Sequence, residues 1–92
     1  MKTIEFPDVQ PSYSSAEPCL QCVATVGGDP ASFAVTAEAL EDHFGARSYQ
    51  AEDLLAAFHE HREEILCVAR NMLELSDSHN VMLHSGHFRF AL

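Results

Sequence analysis

Tryptophan is missing from the 92 residues, and the other aromatics are few, with six Phe and two Tyr making up 9%. Basic residues are scarce: five Lys plus Arg stand against fourteen Asp plus Glu, a formal charge of −9 with the six histidines neutral. That balance removes the usual electrostatic route to nucleic acid, in which cationic side chains displace counterions from phosphates. Anionic membrane surfaces are disfavoured for the same reason. No apolar run approaches the roughly 20 residues that span a bilayer, and Met1 to Pro7 shows nothing like the apolar stretch of a secretory leader. Three cysteines, an odd number, outline no disulfide framework. A cytoplasmic, reducing compartment is expected, with neither nucleic acid nor membrane as partner. Catalytic and cofactor signatures are missing too: there is no Gly-rich phosphate loop, no Gly-x-Ser-x-Gly elbow and no Asp-rich metal loop. Neither an enzyme nor a cofactor is expected from what is left.

What is present is a globular composition, 47% hydrophobic and 21% charged. It suffices for one domain over residues 1–92 with a thin core. Thr3 to Phe6 reads as a short strand ended by Pro7, and Asp8 to Pro18, without periodicity, reads as a flexible loop. From Cys19 to Val26 the chain alternates, with Leu20, Cys22, Ala24 and Val26 on the inward side. Gly27-Gly28-Asp29-Pro30 reads as a four-residue connection to a second strand, Ala31 to Val35, with Phe33 and Val35 inward. Thr36 suits the N-cap of a helix that ends at Phe44, with Gly45 at its C′ position. Ser48 then caps a long helix from about Gln50 to Leu75. Val81 to Ser85 reads as a last strand, followed by a tail, residues 88–92, in which Phe88, Phe90 and Leu92 alternate. The order β-β-β-α-α-β predicts a two-layer α+β fold, an antiparallel sheet with two helices packed on one face.

Thr36-Ala37-Glu38-Ala39-Leu40-Glu41-Asp42-His43-Phe44-Gly45, followed by Ala57-Phe58-His59-Glu60-His61-Arg62-Glu63-Glu64-Ile65, resembles a family of short bacterial proteins known as domain of unknown function 1488. A closing Ser85-Gly86-His87-Phe88 fits the same pattern. The resemblance covers nearly the whole chain, from Ile4 to Phe88. It implies a fold and a bacterial origin and brings no activity, substrate or catalytic residue with it.

Each chemical constellation competes with a plain structural reading. Cys19-Leu20-Gln21-Cys22 is a CxxC match, but strand residues three apart point to opposite faces. Cys22 is expected inward and Cys19 outward, no second pair supplies further ligands, and no metal site is expected. Cys67 falls on the polar helix face beside Glu60, Glu63 and Glu74 as a solvent-exposed thiol. His59 and Glu63 are one turn apart but make only two ligands. His61 and Arg62 are the least expected residues, at about −60° and +40° from Phe58 on the helical wheel, inside the apolar stripe. Structurally, Arg62 would clamp the helix to the sheet by bonding a carboxylate or strand-end carbonyls. Functionally, His43, His61 and Arg62 would line a cleft for an anionic ligand, a metal or a protein partner. The outward sheet face (Val23, Ala34, Met82) with the tail residues Phe88 and Phe90 forms the other candidate, an interface for a homodimer or a protein partner. The expected function is a small interaction or accessory module; the alternative is a small-ligand or metal-binding protein using His43, His61 and Arg62.

Overall fold

In the computed structural model, which describes residues 2–89, the elements follow in the order β1 (Ile4–Glu5), β2 (Ser12–Ser14), β3 (Cys19–Val26), β4 (Asp29–Thr36), α1 (Ala37–Phe44), α2 (Ala51–Glu60), α3 (Arg62–Leu75), β5 (Asn80–Leu83) and α4 (Ser85–Arg89). The fold is α+β, as the alternating and helical patterns predict. The β3–β4 hairpin is its frame. Gly27 and Gly28 both have positive φ, 58° and 86°, the conformation of a two-residue type I′ turn, which matches the twist of the flanking strands. The connection is thus two residues rather than four, with Val26 opposite Asp29. Pro30 is accommodated because β5 pairs β4 only from Ser32 onward, leaving Pro30 on an open stretch of edge.

The sheet order is β1-β3-β4-β5, with β2 also on β3. It is mixed rather than antiparallel, since β5 runs parallel to β4, pairing Phe33 with Val81 and Val35 with Leu83. The reason is topological. The chain leaves β4, passes through the helices and returns to β4's own flank, and a crossover of that kind joins parallel neighbours. The loop expected from Asp8 to Pro18 contains β2, whose Ser12 and Tyr13 pair with Gln21 and Leu20. β1 takes only Val26 and Thr25 of β3, so the other half of that edge remains for β2 to fill. Its sequence, Ser-Tyr-Ser, has no strand pattern, and pairing alone makes it one.

Thr36 caps α1, accepting from the N–H of Ala39 at 3.1 Å, and Gly45 closes it at φ 72° with its N–H on the Leu40 carbonyl. The long helix expected from Gln50 to Leu75 is divided at His61, where φ −118° and ψ 27° leave the helical region. Four helices therefore replace the two expected. Ser48 is not the N-cap, which falls two residues later at Gln50; it accepts from the N–H of Gln50 and donates to Asp53. The tail does not continue as a strand: Ser85–Arg89 is helical.

One core forms between the helices and the inward sheet face, from Leu20, Cys22, Phe33 and Val35 to Leu40, Phe44, Leu54, Phe58, Ile65 and Phe88. A smaller cluster under the hairpin end joins Ile4, Ala24, Val26, Ala31 and Leu73. No described helix is long and apolar enough to cross a membrane. Because the N-cap of α1 is also the last residue of β4, it sets where strand ends and helix begins. Thr36→Ala is expected to lower unfolding stability by about 1 kcal/mol, and Thr36→Ser to restore most of it, measured by urea unfolding. An undiminished midpoint in the alanine variant would show that the strand end, not the cap, holds this corner.

Candidate functional site

The three residues expected to share a cleft do not meet. His43, in the last turn of α1, turns to α4: its Nε2 lies 2.9 Å from the Ser85 carbonyl and 3.1 Å from Ser85 Oγ. A carbonyl oxygen only accepts, so Nε2 carries the proton and donates. Ser85 Oγ in turn donates to Asp42 Oδ2 at 2.7 Å. Ser85 is almost fully buried, and this trio ties the end of α1 to the start of α4. Although Ser, His and Asp stand together, the bond order is not that of a nucleophile and its base: Nε2 is occupied by hydrogen and cannot take the hydroxyl proton. The contact joins residues 42 and 43 to residue 85. No local pattern announces it.

His61 lies on the other side of Phe44. Its ring is 5.1 Å from that of Phe44, Phe44 meets Phe88 edge-on at 5.2 Å, and Phe88 lies 5.9 Å from His43. His43 is also 6.2 Å from Phe44, so His43, Phe44 and Phe88 form a triangle that His61 joins at Phe44 alone. His61 Nδ1 is 3.7 Å from Glu64, an exposed contact of small energetic weight. Among the described residues, the cavity beside His61 and Arg62, about 420 Å³, is lined by residues 59 to 64, with nothing from α1. Arg62 is half-exposed, and among the described residues it makes neither a hydrogen bond nor an ion pair. The expected clamp to a carboxylate or strand-end carbonyl is not formed, and its guanidinium is left to water. Among the described residues no cluster of three or more His, Cys, Asp or Glu is placed to hold a metal ion.

Two other cations, Lys2 and Arg70, act on backbone and a ring. Lys2 Nζ donates to the carbonyls of Leu73 and Ser76 at the end of α3, where a positive charge suits the helix dipole. Arg70 lies 5.3 Å over the ring of Phe6, with Nη1 near the Ile4 carbonyl. Among the described residues, His61–Glu64 is the sole ion pair of any kind. Asp42 and Asp53 accept from serines, and no Lys or Arg among the described residues pairs with a carboxylate.

The outward sheet face is different. Strand pairing places Gln21, Val23 and Thr25 of β3 beside Pro30, Ser32 and Ala34 of β4, with Asn80 and Met82 of β5 and Ser12 and Ser14 of β2 alongside. None is charged; Glu5 at the β1 edge is the one carboxylate on this side of the strands. Val23 is 47% exposed and Met82 half-buried, while Ala34 is only 8% exposed. Ser32 donates to Asn80 within the face. Two shallow cavities open on it. One, about 290 Å³, runs along β4 and β5 between Gln21 and Met82. The other, about 420 Å³, lies at the strand end beside Cys19, Thr36, Tyr49, Met82 and His84, with Glu17 and Glu38 also in its lining. Of the interface residues expected, Val23 and Met82 are accessible. Phe88 is a correction: it is fully buried as a core residue, because α4 folds back under the sheet. Phe90 lies outside the described residues.

Cys19 and Cys22 point to opposite faces, as strand alternation requires, but Cys19 is buried (2% exposed) rather than open. Burial, with a smaller contribution from Glu17, pushes the Cys19 thiol up. Burial pushes Cys22 up to about 12, opposed weakly by the Arg62 guanidinium. Both are held as thiols at neutral pH. Cys67 is exposed, as its place on the helix wheel predicts.

Comparison with known proteins yields one match. The family model described as "Protein of unknown function (DUF1488)" matches residues 4–83. No curated protein and no solved structure matches the chain. The thiols provide a check on the burial pattern. At about pH 8 a maleimide is expected to modify Cys67 of the native chain and to reach Cys19 and Cys22 only on unfolding, read by intact mass. Rapid native labelling of all three cysteines would show that the β3 strand end is open in solution.

Proposed function

The chain belongs to the DUF1488 family of proteins of unknown function, and we propose that it serves as a non-enzymatic interaction module that self-associates through the outward face of its sheet. The observation that carries this reading is electrostatic. On a chain of formal charge −9, the strand residues of this surface are uncharged apart from one edge glutamate, with Glu17 and Glu38 standing only beside the cavity at the strand end, and they include exposed Val23 and half-buried Met82. Two copies meeting helix to helix would set unpaired carboxylates against each other. Two copies meeting sheet to sheet would keep them apart. With about 10 Å between sheets and about 10 Å from each sheet to its helices, the helical charges of the two copies sit roughly 30 Å apart. That is well beyond the screening length of about 8 Å at physiological salt.

The polar groups of the face are suited to partial dehydration. Ser32 and Asn80 already satisfy one another, and Gln21 and Thr25 are able to hold interfacial water. The footprint is modest, which sets the expectation at a reversible dimer rather than an obligate one, with a dissociation constant of roughly 10–100 µM. A twofold arrangement brings the same patch of each copy together.

Sedimentation velocity from about 5 to about 500 µM is expected to show the mean mass rising from one chain toward two. Val23→Glu places a carboxylate in the face of each copy and is expected to abolish the rise with the circular dichroism unchanged. Leu75→Glu, at a position 83% exposed on the helical side, leaves association intact. A wild-type chain that remains monomeric throughout the range rejects the reading.

A further inference from the structure

The last described helix, α4, starts with a histidine in a capping role. The backbone N–H of His84, immediately before the helix, donates to Nδ1 of His87 at 2.8 Å. The N–H of His87 donates back to the His84 carbonyl at 2.9 Å. A side chain at the third helical position reaching back to the N–H of the cap is half of a capping box, and that place is ordinarily taken by Glu or Gln. A backbone amide only donates, so Nδ1 of His87 presents its lone pair and the ring is neutral with its proton on Nε2.

A proton added at Nδ1 destroys the acceptor. It also brings a positive charge to the positive end of the helix. The ring of His84 is 5.8 Å away, so protonating it as well sets like charges together. The elements packed against α4 are α1 and β5. β5 carries no titratable side chain. From α1 come Glu38, Glu41, Asp42 and His43; Asp42 Oδ2 and His43 Nε2 are both engaged by Ser85, and Arg89 on α4 adds a further cation. The His43 bond to the Ser85 carbonyl survives acid, because Nε2 donates in both protonation states. The pH sensitivity of this corner therefore resides in the cap.

What the cap secures is Phe88, fully buried against Phe44. We propose that α4 is a proton-operated latch: neutral His87 closes it over the core, and protonation opens it and uncovers the apolar site that Phe88 fills. The bond exists only with the ring neutral, so the latch is closed while Nδ1 keeps its lone pair and loosens when acid protonates it. This device is independent of self-association and is tested without reference to it.

Nitrogen chemical shifts of the His87 ring at about pH 8 are expected to report the Nε2–H tautomer; the Nδ1–H tautomer overturns the proposal in the wild-type chain alone. Amide protection of residues 87 to 89, corrected for intrinsic exchange, is expected to fall about fivefold between roughly pH 7.5 and 5.5. His87→Gln keeps an acceptor that does not titrate, so its protection is expected to stay constant over the same interval. Constant protection in the wild type, or an equal fall in the glutamine variant, defeats the latch.

Discussion

Burial of a single sheet face governs this molecule. The β3–β4 hairpin offers Leu20, Cys22, Phe33 and Val35 on one side, and a chain of this length supplies one layer of helices, enough to cover that side and no more. Each helix presents an apolar stripe to the sheet and its carboxylates to water. Even so the layer needs completing, and α4 brings Phe88 into the remaining space beside Phe44. The opposite sheet face has no such cover, and its composition answers to that exposure: Ser, Thr, Gln and Asn among a few small apolar residues, with Glu5 at the β1 edge the one charged strand residue.

Electrostatics follow from the same division. Acidic residues outnumber basic ones nearly threefold, yet Lys2 and Arg70 are spent on carbonyls and on the Phe6 ring rather than on carboxylates. Uncompensated negative charge is concentrated on the helical side and around the loops. It opposes contact between copies there by like-charge repulsion. The sparsely charged sheet face is the complement of that pattern, which is why self-association is proposed for it and not for the His61–Arg62 cavity.

The two histidines that sequence periodicity singled out have different fates for a local reason. His61 sits where the long helix breaks, so the wheel angles that placed it with Arg62 inside the apolar stripe cease to apply beyond it. Its ring finds Phe44, and Arg62 remains half in solvent. His43 is half-buried on α1, and its partner is Ser85, some forty positions onward. Contacts of that range leave no trace in spacing. His87 was passed over because an imidazole at a helix start has no apolar period to betray it, and only its bond to the His84 N–H assigns its role.

The sequence by itself determined much of what depends on neighbours a few residues away. The alternation of β3, the capping of α1 by Thr36 and Gly45, the inward Cys22 and outward Cys19, and the exposed Cys67 all follow from backbone periods of two and 3.6 residues. Only the tertiary structure decided which strand flanks which. It made Ser12–Ser14 a strand, set β5 parallel to β4, divided the helix at His61 and turned Phe88 from a tail residue into a core one. Those outcomes rest on hydrogen bonds and contacts between distant segments, whose energies are shared across the whole fold and are written in no single stretch of it.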